Sequence, residues 1–490
     1  MNYLRAAILM GVLVFLGEAH SQSQIDTFDD EFDALDKKLE AEFENTDQSL
    51  ERRFLLVKDA VDKAYKGLSE KISVNWGADI KLPTRKTWVT YDDAFETRVE
   101  FNFESGTYRI ETILVDDIAK SLLALKSLAT QIALSNAAEL QAADVFNQEV
   151  QQTLQASNFA AEQTRLELTS KNQHINVPEM LPQNVVELID SLDLEQIKPL
   201  PNAAVQTQTE DTIVATTSLP ATDVSSESIK ASVPTLNENA NLSKSDAEDR
   251  VVIAKQKSVI SINQDLSSSV SVATSSQVKQ KTNEFEVKIE VTDTPELSKL
   301  VLTIPFVNDY QKILFRDKLE TIKDLAQKYS IDTSLILAVI DAESSFNPMA
   351  TSAIPAFGLM QLIPNTAALD SYQFLYGKKH IVSPEFLYNE DNNLLFGTTY
   401  LHILSSRYLK GIEDSQSKIY CMLASYNTGV GNLSMTFVQQ KNLRKAVSKI
   451  NTLSAKQTYD HLMANLPAEE TKHYIRKILA KKQYYNDSGL

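Results

Sequence analysis

The sequence predicts an α+β multidomain protein with a mainly α C-terminal domain, an α+β N-terminal accessory domain and a long disordered linker between them. Three observations carry that reading. Apolar and polar residues alternate in two separate stretches, Val99 to Thr112 and Phe285 to Ile304, which is the period of half-buried strands. From Asn308 onward the apolar residues recur almost wholly at helical spacing. Between the two strand stretches no Phe, Tyr or Trp occurs from Phe159 to Phe285, and 24 of the 83 residues from Pro201 to Asn283 are Ser or Thr. So little bulky apolar surface does not offset the entropy of ordering a chain.

The elements follow in chain order. Arg5 precedes the apolar run Ala6 to Gly17, and Ala19-His20-Ser21 then supplies small residues at the two positions a signal peptidase reads. The run is short for a membrane span, so a cleaved export signal is expected. No cysteine lies near the cleavage point, which argues against a lipid-anchored mature N-terminus. Phe28, Phe32, Leu35 and Leu39, and then Phe54, Val57, Val61, Tyr65 and Leu68, have the spacing of an amphipathic helix. Val99, Phe101 and Phe103, a turn at Ser105-Gly106, and Tyr108, Ile110 and Thr112 form a predicted β-hairpin. The Ala/Leu/Gln-rich stretch from Asp116 to about Leu168 reads as helix. Phe285 to Val291 and Leu300 to Ile304 read as two strands, too few to stand alone and therefore expected to join the earlier sheet. The resulting map has a signal peptide at 1–21, the accessory domain at 22–170, a low-complexity linker at 171–283 that is mostly disordered from 201, the strand pair at 284–306, and the helical domain at 307–490.

Composition excludes several function classes. The 490 residues are 43% hydrophobic and 23% charged, which fits neither a multi-spanning membrane protein nor a wholly disordered chain. A net charge of -17 argues against a nucleic-acid partner, whose phosphates would repel it. One cysteine, Cys421, leaves no disulfide framework and no Cys-based zinc site, and a buried thiol is the simplest reading of it. His174, His380, His402, His461 and His473 lack metal-ligand spacing, so no metal site is expected. The charge is uneven: residues 307–490 carry 20 Lys+Arg against 17 Asp+Glu, and the last fifty residues are the most basic, with Lys472, Arg476, Lys477, Lys481 and Lys482. This stretch reads either as a solvated helix face or as an attraction for an anionic polymer.

Chemistry concentrates in the helical domain. In Ile331 to Pro348, Asp332 is placed to cap a helix whose buried face is Leu335, Ala338, Val339 and Ala342, and Pro348 stops it. Glu343 then falls in the last turn, where the negative end of the helix dipole raises its pKa. A carboxyl protonated near neutral pH is what a general acid needs.

Four blocks surround that glutamate: Glu343-Ser344-Ser345-Phe346-Asn347-Pro348; Gly358-Leu359-Met360-Gln361; Asn393 with Gly397; and Ser425-Tyr426-Asn427-Thr428-Gly429-Val430-Gly431. Pro467, Glu470, Thr471 and Tyr474 follow. In this order the blocks resemble the lysozyme-like catalytic domain of the soluble lytic transglycosylase family, over about 180 residues. The stretch Trp76-Gly77, Tyr91, Thr97-Arg98, Phe101-Asn102-Phe103, Gly106-Thr107 and Ile110 to Ile113 is similar to the accessory domain of the membrane-bound lytic murein transglycosylase C family. Members of the latter are usually lipid-anchored, and this chain lacks the required cysteine.

The resemblance implies a lytic transglycosylase acting on peptidoglycan glycan strands in the periplasm, soluble or peripheral to a membrane or cell-wall complex, with no metal or organic cofactor. It implies that Glu343 is the single catalytic acid and base and that Ser352 orients a sugar hydroxyl. Met360 and Gln361 would line the cleft, and Gly358 would let the backbone approach substrate. Tyr426 and Asn427 would close the cleft over Glu343, with Glu470 and Tyr474 on a later wall. Pro355 stands where a glycine is common, which stiffens that loop. Two rival readings remain open at this point. One is a goose-type lysozyme-like hydrolase that uses Asp341 or Asp370 to position water; the other is a non-catalytic wall-binding scaffold.

Overall fold

A computed structural model describes residues 22–115, 117–157, 159, 177–193, 277–281, 286–293 and 297–488. The expected signal peptide and nearly all of the expected linker lie outside the described residues. The chain opens with α1 (Gln22–Trp76), whose Val57, Ala60, Val61, Ala64, Leu68 and Ile72 form one fully buried stripe at helical spacing. β1 (Thr87–Tyr91), β2 (Thr97–Asn102) and β3 (Thr107–Ile113) make an antiparallel meander, so the hairpin gains a third strand that the sequence pattern alone did not mark. The predicted helical stretch after it is three helices: α2 (Ile118–Ala133), α3 (Ala137–Ala143) and α4 (Val145–Ala156). Asn136, in a capping box with Glu139, and Asp144 cap backbone amides there and so start new helices.

Residues 177–193, which composition places in the linker, are folded. They form α5 (Val177–Met180) and α6 (Val185–Asp190), with Val177, Met180, Leu181, Val185, Ile189 and Leu192 buried. A few well-spaced aliphatic side chains suffice there because an existing face receives them. A second correction concerns β4 (Gln277–Lys281), inside the segment read as disordered. It pairs with β5 (Glu286–Asp293), which pairs with β6 (Ser298–Pro305). Lys-rich, β4 is the outermost strand, where lysine discourages further pairing.

β6 pairs antiparallel with β3, opposing Tyr108 to Ile304 and Ile110 to Leu302. The six strands run in the order β1-β2-β3-β6-β5-β4. One face buries Trp88, Val99, Phe101, Tyr108, Ile110, Leu302 and Ile304 with Leu122, Leu125, Ala129 and Ile132 of α2. The opposite face buries charge: Glu111 sits among Arg98, Lys81, Arg109 and Lys299, and the Arg98 guanidinium lies 3.8 Å over the Trp76 ring. Although burial works against it, the surrounding cations hold the Glu111 carboxyl below the usual carboxylate range.

The rest of the chain is helical: α7 (Tyr310–Arg316), α8 (Leu319–Tyr329), α9 (Thr333–Glu343), α10 (Ala367–Tyr376), α11 (Pro384–Tyr388), α12 (Glu390–Ile403), α13 (Ser415–Val438), α14 (Leu443–Ile450), α15 (Ala455–Asn465) and α16 (Glu469–Asp487). Helix α9 is the hub. The expected one-sided burial is replaced by burial all round, from Ser334 to Glu343. Asp332 occupies the N-cap but makes no side-chain cap hydrogen bond; its carboxylate pairs with Lys482 at 2.7 Å. Asp341 accepts hydrogen bonds from Lys481 Nζ at 2.6 Å and Tyr485 OH at 2.9 Å, which fastens α9 to α16. Lys472 and Lys477 pair with Glu469 and Glu104. The basic run is therefore largely matched within the protein, as a structural face and not as a free anion-binding strip.

The accessory and helical regions touch directly. Tyr310 OH donates to Phe103 O at 2.8 Å, Lys477 meets Glu104 at 3.3 Å, and Arg53 Nε donates to Ile381 O at 2.6 Å. Among the described residues no helix is long and apolar enough to cross a membrane.

Candidate active site

Glu343 closes α9, and the chain turns sharply after it, with Ser345 and Phe346 in left-handed geometry (φ +52° and +64°). Ser344 Oγ donates to Leu359 O at 2.8 Å, so the end of α9 is tied to the loop carrying Gly358 to Gln361. Asn393 of α12 organises that loop from below. Its Nδ2 donates to Phe357 O at 2.9 Å and Leu387 O at 2.7 Å, and its Oδ1 accepts from Met360 N at 2.8 Å. Gly358 has φ +73°, and a Cβ there would lie 2.3 Å from both Asn393 Nδ2 and Leu387 O. Contacts inside the protein therefore already require the glycine. A Cβ on Gly397 would meet Met360 Sδ at 2.2 Å, so α12 packs straight onto that side chain. Met360 is fully buried; it underlies the loop and does not line open space.

Gln361, itself left-handed at φ +47°, donates from Nε2 to Ala350 O at 3.0 Å and Gly358 O at 3.1 Å. Its buried Oε1 has no hydrogen-bond partner. Tyr426 OH donates to Met360 O at 2.8 Å, and its ring centroid lies 5.5 Å from that of Tyr400. Asn427 Oδ1 accepts from Thr471 Oγ1 at 2.7 Å, joining α13 to α16. Two residues later Gly429 breaks helical geometry (φ +83°, ψ +154°). Ser352 Oγ donates to Ile354 O within its own loop.

Only 5% of Glu343 is exposed, and its pKa is raised. Burial is the largest cause. The Tyr474 hydroxyl, Arg85 and Lys477 oppose it, and Glu470 adds to it. Tyr474 is buried and faces the carboxyl, but its hydroxyl makes no hydrogen bond of ordinary geometry. Glu470 is exposed at the rim. Between the two carboxylates lies Arg85, with Nη1 3.7 Å from Glu343 and Nη2 3.7 Å from Glu470. No sequence signal pointed to Arg85, which belongs to the accessory region far earlier in the chain.

The structure thus brings Tyr426 and Tyr474 to Glu343, with Gln361 in the loop that Tyr426 holds, Glu470 at the rim and Asn427 on the adjoining helix contact. The two other carboxylates considered as water-positioning groups are occupied elsewhere, Asp341 by α16 and Asp370 by the Tyr408 hydroxyl at 2.9 Å. Cys421 is buried and its thiol pKa is pushed up, which disfavours the thiolate. Among the described residues no cluster of three or more His, Cys, Asp or Glu could hold a metal ion.

Residues 320–449, which include α9, the Gly358 loop and Tyr426, match the family model described as the transglycosylase SLT domain. Over those residues the chain is similar to SLT domains. Upstream of it, residues 51–178 match the N-terminal domain of membrane-bound lytic murein transglycosylase C. The chain is 37% identical over 177 residues to membrane-bound lytic murein transglycosylase C of Haemophilus influenzae strain PittEE, covering 36% of this chain and 49% of that protein. Against its namesake in Yersinia pestis strain Pestoides F it is 36% identical over 184 residues, covering 38% and 51%. The chain thus spans about half the length of these curated relatives. Among solved structures, lytic transglycosylase Slt of Pseudomonas aeruginosa aligns at 23% identity and a TM-score of 0.27, covering 34% of this chain and 24% of that one. Within residues 320–449, the four motif blocks reach either the Glu343 centre or the scaffold beneath it.

Proposed function

We propose that this protein is a peptidoglycan lytic transglycosylase that cleaves the β-1,4 bond between N-acetylmuramic acid and N-acetylglucosamine and leaves a 1,6-anhydro-N-acetylmuramic acid end. The observation that carries the reading is a buried Glu343 with a raised pKa, while Asp341 and Asp370 are held by other partners. A single carboxyl suits a reaction in which one residue is first acid and then base.

Protonated Glu343 gives its proton to the glycosidic oxygen as the bond to the muramyl anomeric carbon breaks. The substrate's own acetamido oxygen stabilises the positive charge that develops there. The carboxylate of Glu343 then takes the proton of the muramyl 6-hydroxyl, whose oxygen bonds to the anomeric carbon. Glu343 ends protonated, and no water is consumed. The buried Gln361 Oε1, which has no partner, is a polar group that a bound sugar can satisfy, and the Tyr474 hydroxyl faces the Glu343 carboxyl beside it. Tyr426, pinned to Met360 O, gives that wall a fixed face. Ser352, Gly358 and Met360 contribute through the shape of the loop, and Asn427 through the α13–α16 contact. The relatives' name, membrane-bound, supports an envelope location, and the expected export signal supports the periplasm, with attachment that is peripheral.

Digestion of purified peptidoglycan by the full chain should release muropeptides lighter by one water than the corresponding lysozyme products. A tethered hydroxyl has an effective molarity that reaches about 10⁵ to 10⁸ M in well-oriented cases, far above that of bulk water. Mass spectrometry of the products checks this, and a majority of reducing ends would favour the hydrolase reading.

A further inference from the structure

The accessory region reaches into the candidate active site through one side chain. Arg85 lies on the loop between α1 and β1, within the segment matching the N-terminal family model. That loop is held on several sides. Tyr65 OH donates to Pro83 O at 3.1 Å, Thr84 N donates to Thr87 O at 3.0 Å, and Lys86 N donates to Thr84 Oγ1 at 3.2 Å. From the helical domain, Asn347 Nδ2 donates to Arg85 O at 3.5 Å. Lys86 shares Glu104 with Lys477 of α16. The backbone bearing Arg85 is therefore fixed against both ends of the centre, the turn after Glu343 and the helix bearing Glu470.

We propose that Arg85 is a positioning residue of the active site, supplied by the accessory region, that spans Glu343 and Glu470 and governs when Glu343 can act as an acid. The proposal rests on the transglycosylase reading for its consequence and on geometry for its substance. At 3.7 Å neither contact is a hydrogen bond, so Arg85 acts through its field without sharing a proton. Its side chain is 42% exposed, which leaves it free to turn toward solvent or an entering anionic group. Glu343 alone must be acid and then base, and burial by itself holds it in the acid form and disfavours the carboxylate that proton donation leaves behind. A cation beside it offsets that bias, and Glu470 limits the offset by sharing the cation. The charged and titratable groups facing Glu343 are Arg85 from the accessory loop, Glu470, Tyr474 and Lys477 from α16, and Tyr426 from α13. Of the two cations, Arg85 is the one paired directly with the carboxylate.

The sign follows from the charge. Removing the cation favours the neutral carboxyl, so Glu343 stays protonated to higher pH, and a rate that needs the protonated acid persists further on the alkaline side. In the full-length protein, Arg85→Gln should move the alkaline limb of kcat/KM on peptidoglycan upward by about 1 pH unit, the smaller end of what one adjacent opposite charge does. Arg85→Lys, which keeps the charge, should move it by less than half as much. The same shift should appear in a titration of the Glu343 side-chain carboxyl by carbon-13 NMR, with Glu343→Gln identifying the resonance. That titration does not depend on turnover. A parent enzyme giving no anhydro product, with a carboxyl titration that still moves, would refute the transglycosylase reading and keep the Arg85 pairing. A carboxyl midpoint and an alkaline limb that stay with the parent would overturn the proposal, whether or not the rate falls uniformly across pH.

Discussion

Glu343→Gln should lower turnover on peptidoglycan by about 10² to 10⁴-fold, the usual contribution of a positioned acid and base. The amide keeps the shape of the carboxyl but moves no proton. Folding should change little, because α9 is fastened to α16 through Asp341, which accepts from Lys481 and Tyr485, and not through Glu343. Glycan binding should also survive, since the Gln361 and Tyr426 walls are untouched. Turnover and a cosedimentation assay on insoluble peptidoglycan check both halves. A variant within about tenfold of the parent, a loss of about 1.4 kcal/mol or less in activation free energy, would remove Glu343 from the chemistry.

Gly358→Ala should destabilise the helical domain by about 2 to 6 kcal/mol. Left-handed geometry strains any L side chain by about 1 to 3 kcal/mol. A further cost of about 1 to 3 kcal/mol comes from overpacking, since the new methyl would sit 2.3 Å from a backbone carbonyl and from Asn393. Gly377→Ala is the control. It has the same sign of φ, +72°, but nothing within 4 Å of the new Cβ, so only the strain should be felt. Thermal unfolding of the two variants separates these costs. Equal losses in stability would mean that the Asn393 cradle yields freely.

The periodic parts of the fold were readable in the sequence because their apolar residues gather on one face. The stripe on α1 is backed by exposed charged residues, and along β2, β3 and β6 apolar side chains alternate with polar ones, several of which the opposite face buries as a charge cluster. Three features escaped for physical reasons. Helix α9 is buried all round, so its sequence marks no inner face. The short helices α5 and α6 lack aromatics and fold only against a face that the earlier chain provides. β4 is polar and is held by backbone pairing with β5.

The site divides in the same way. The motif blocks around Glu343, Gln361, Tyr426 and Tyr474 were legible because each is local in sequence. Their division of labour was not. Met360 is buried against Gly397, Asn393 cradles Gly358, and Ser352 Oγ contacts Ile354 O, contacts that no motif spacing marks. The raised pKa of Glu343 was expected from the helix end, but the burial that contributes most to it was not legible, because burial is a property of the assembled domain. Arg85 could not be read at all, since its meeting with Glu343 exists only once the accessory region has docked.

The central claim is that the muramyl 6-hydroxyl, and not water, attacks the anomeric carbon after Glu343 has given up its proton. Digestion in oxygen-18 water, followed by mass spectrometry of the released muropeptides, tests it directly. Intramolecular attack leaves the new muramyl end without solvent oxygen, so the products should carry no heavy label and be short by one water. Incorporation of one oxygen-18 atom at that end in most of the product would contradict the account and show that water is the nucleophile.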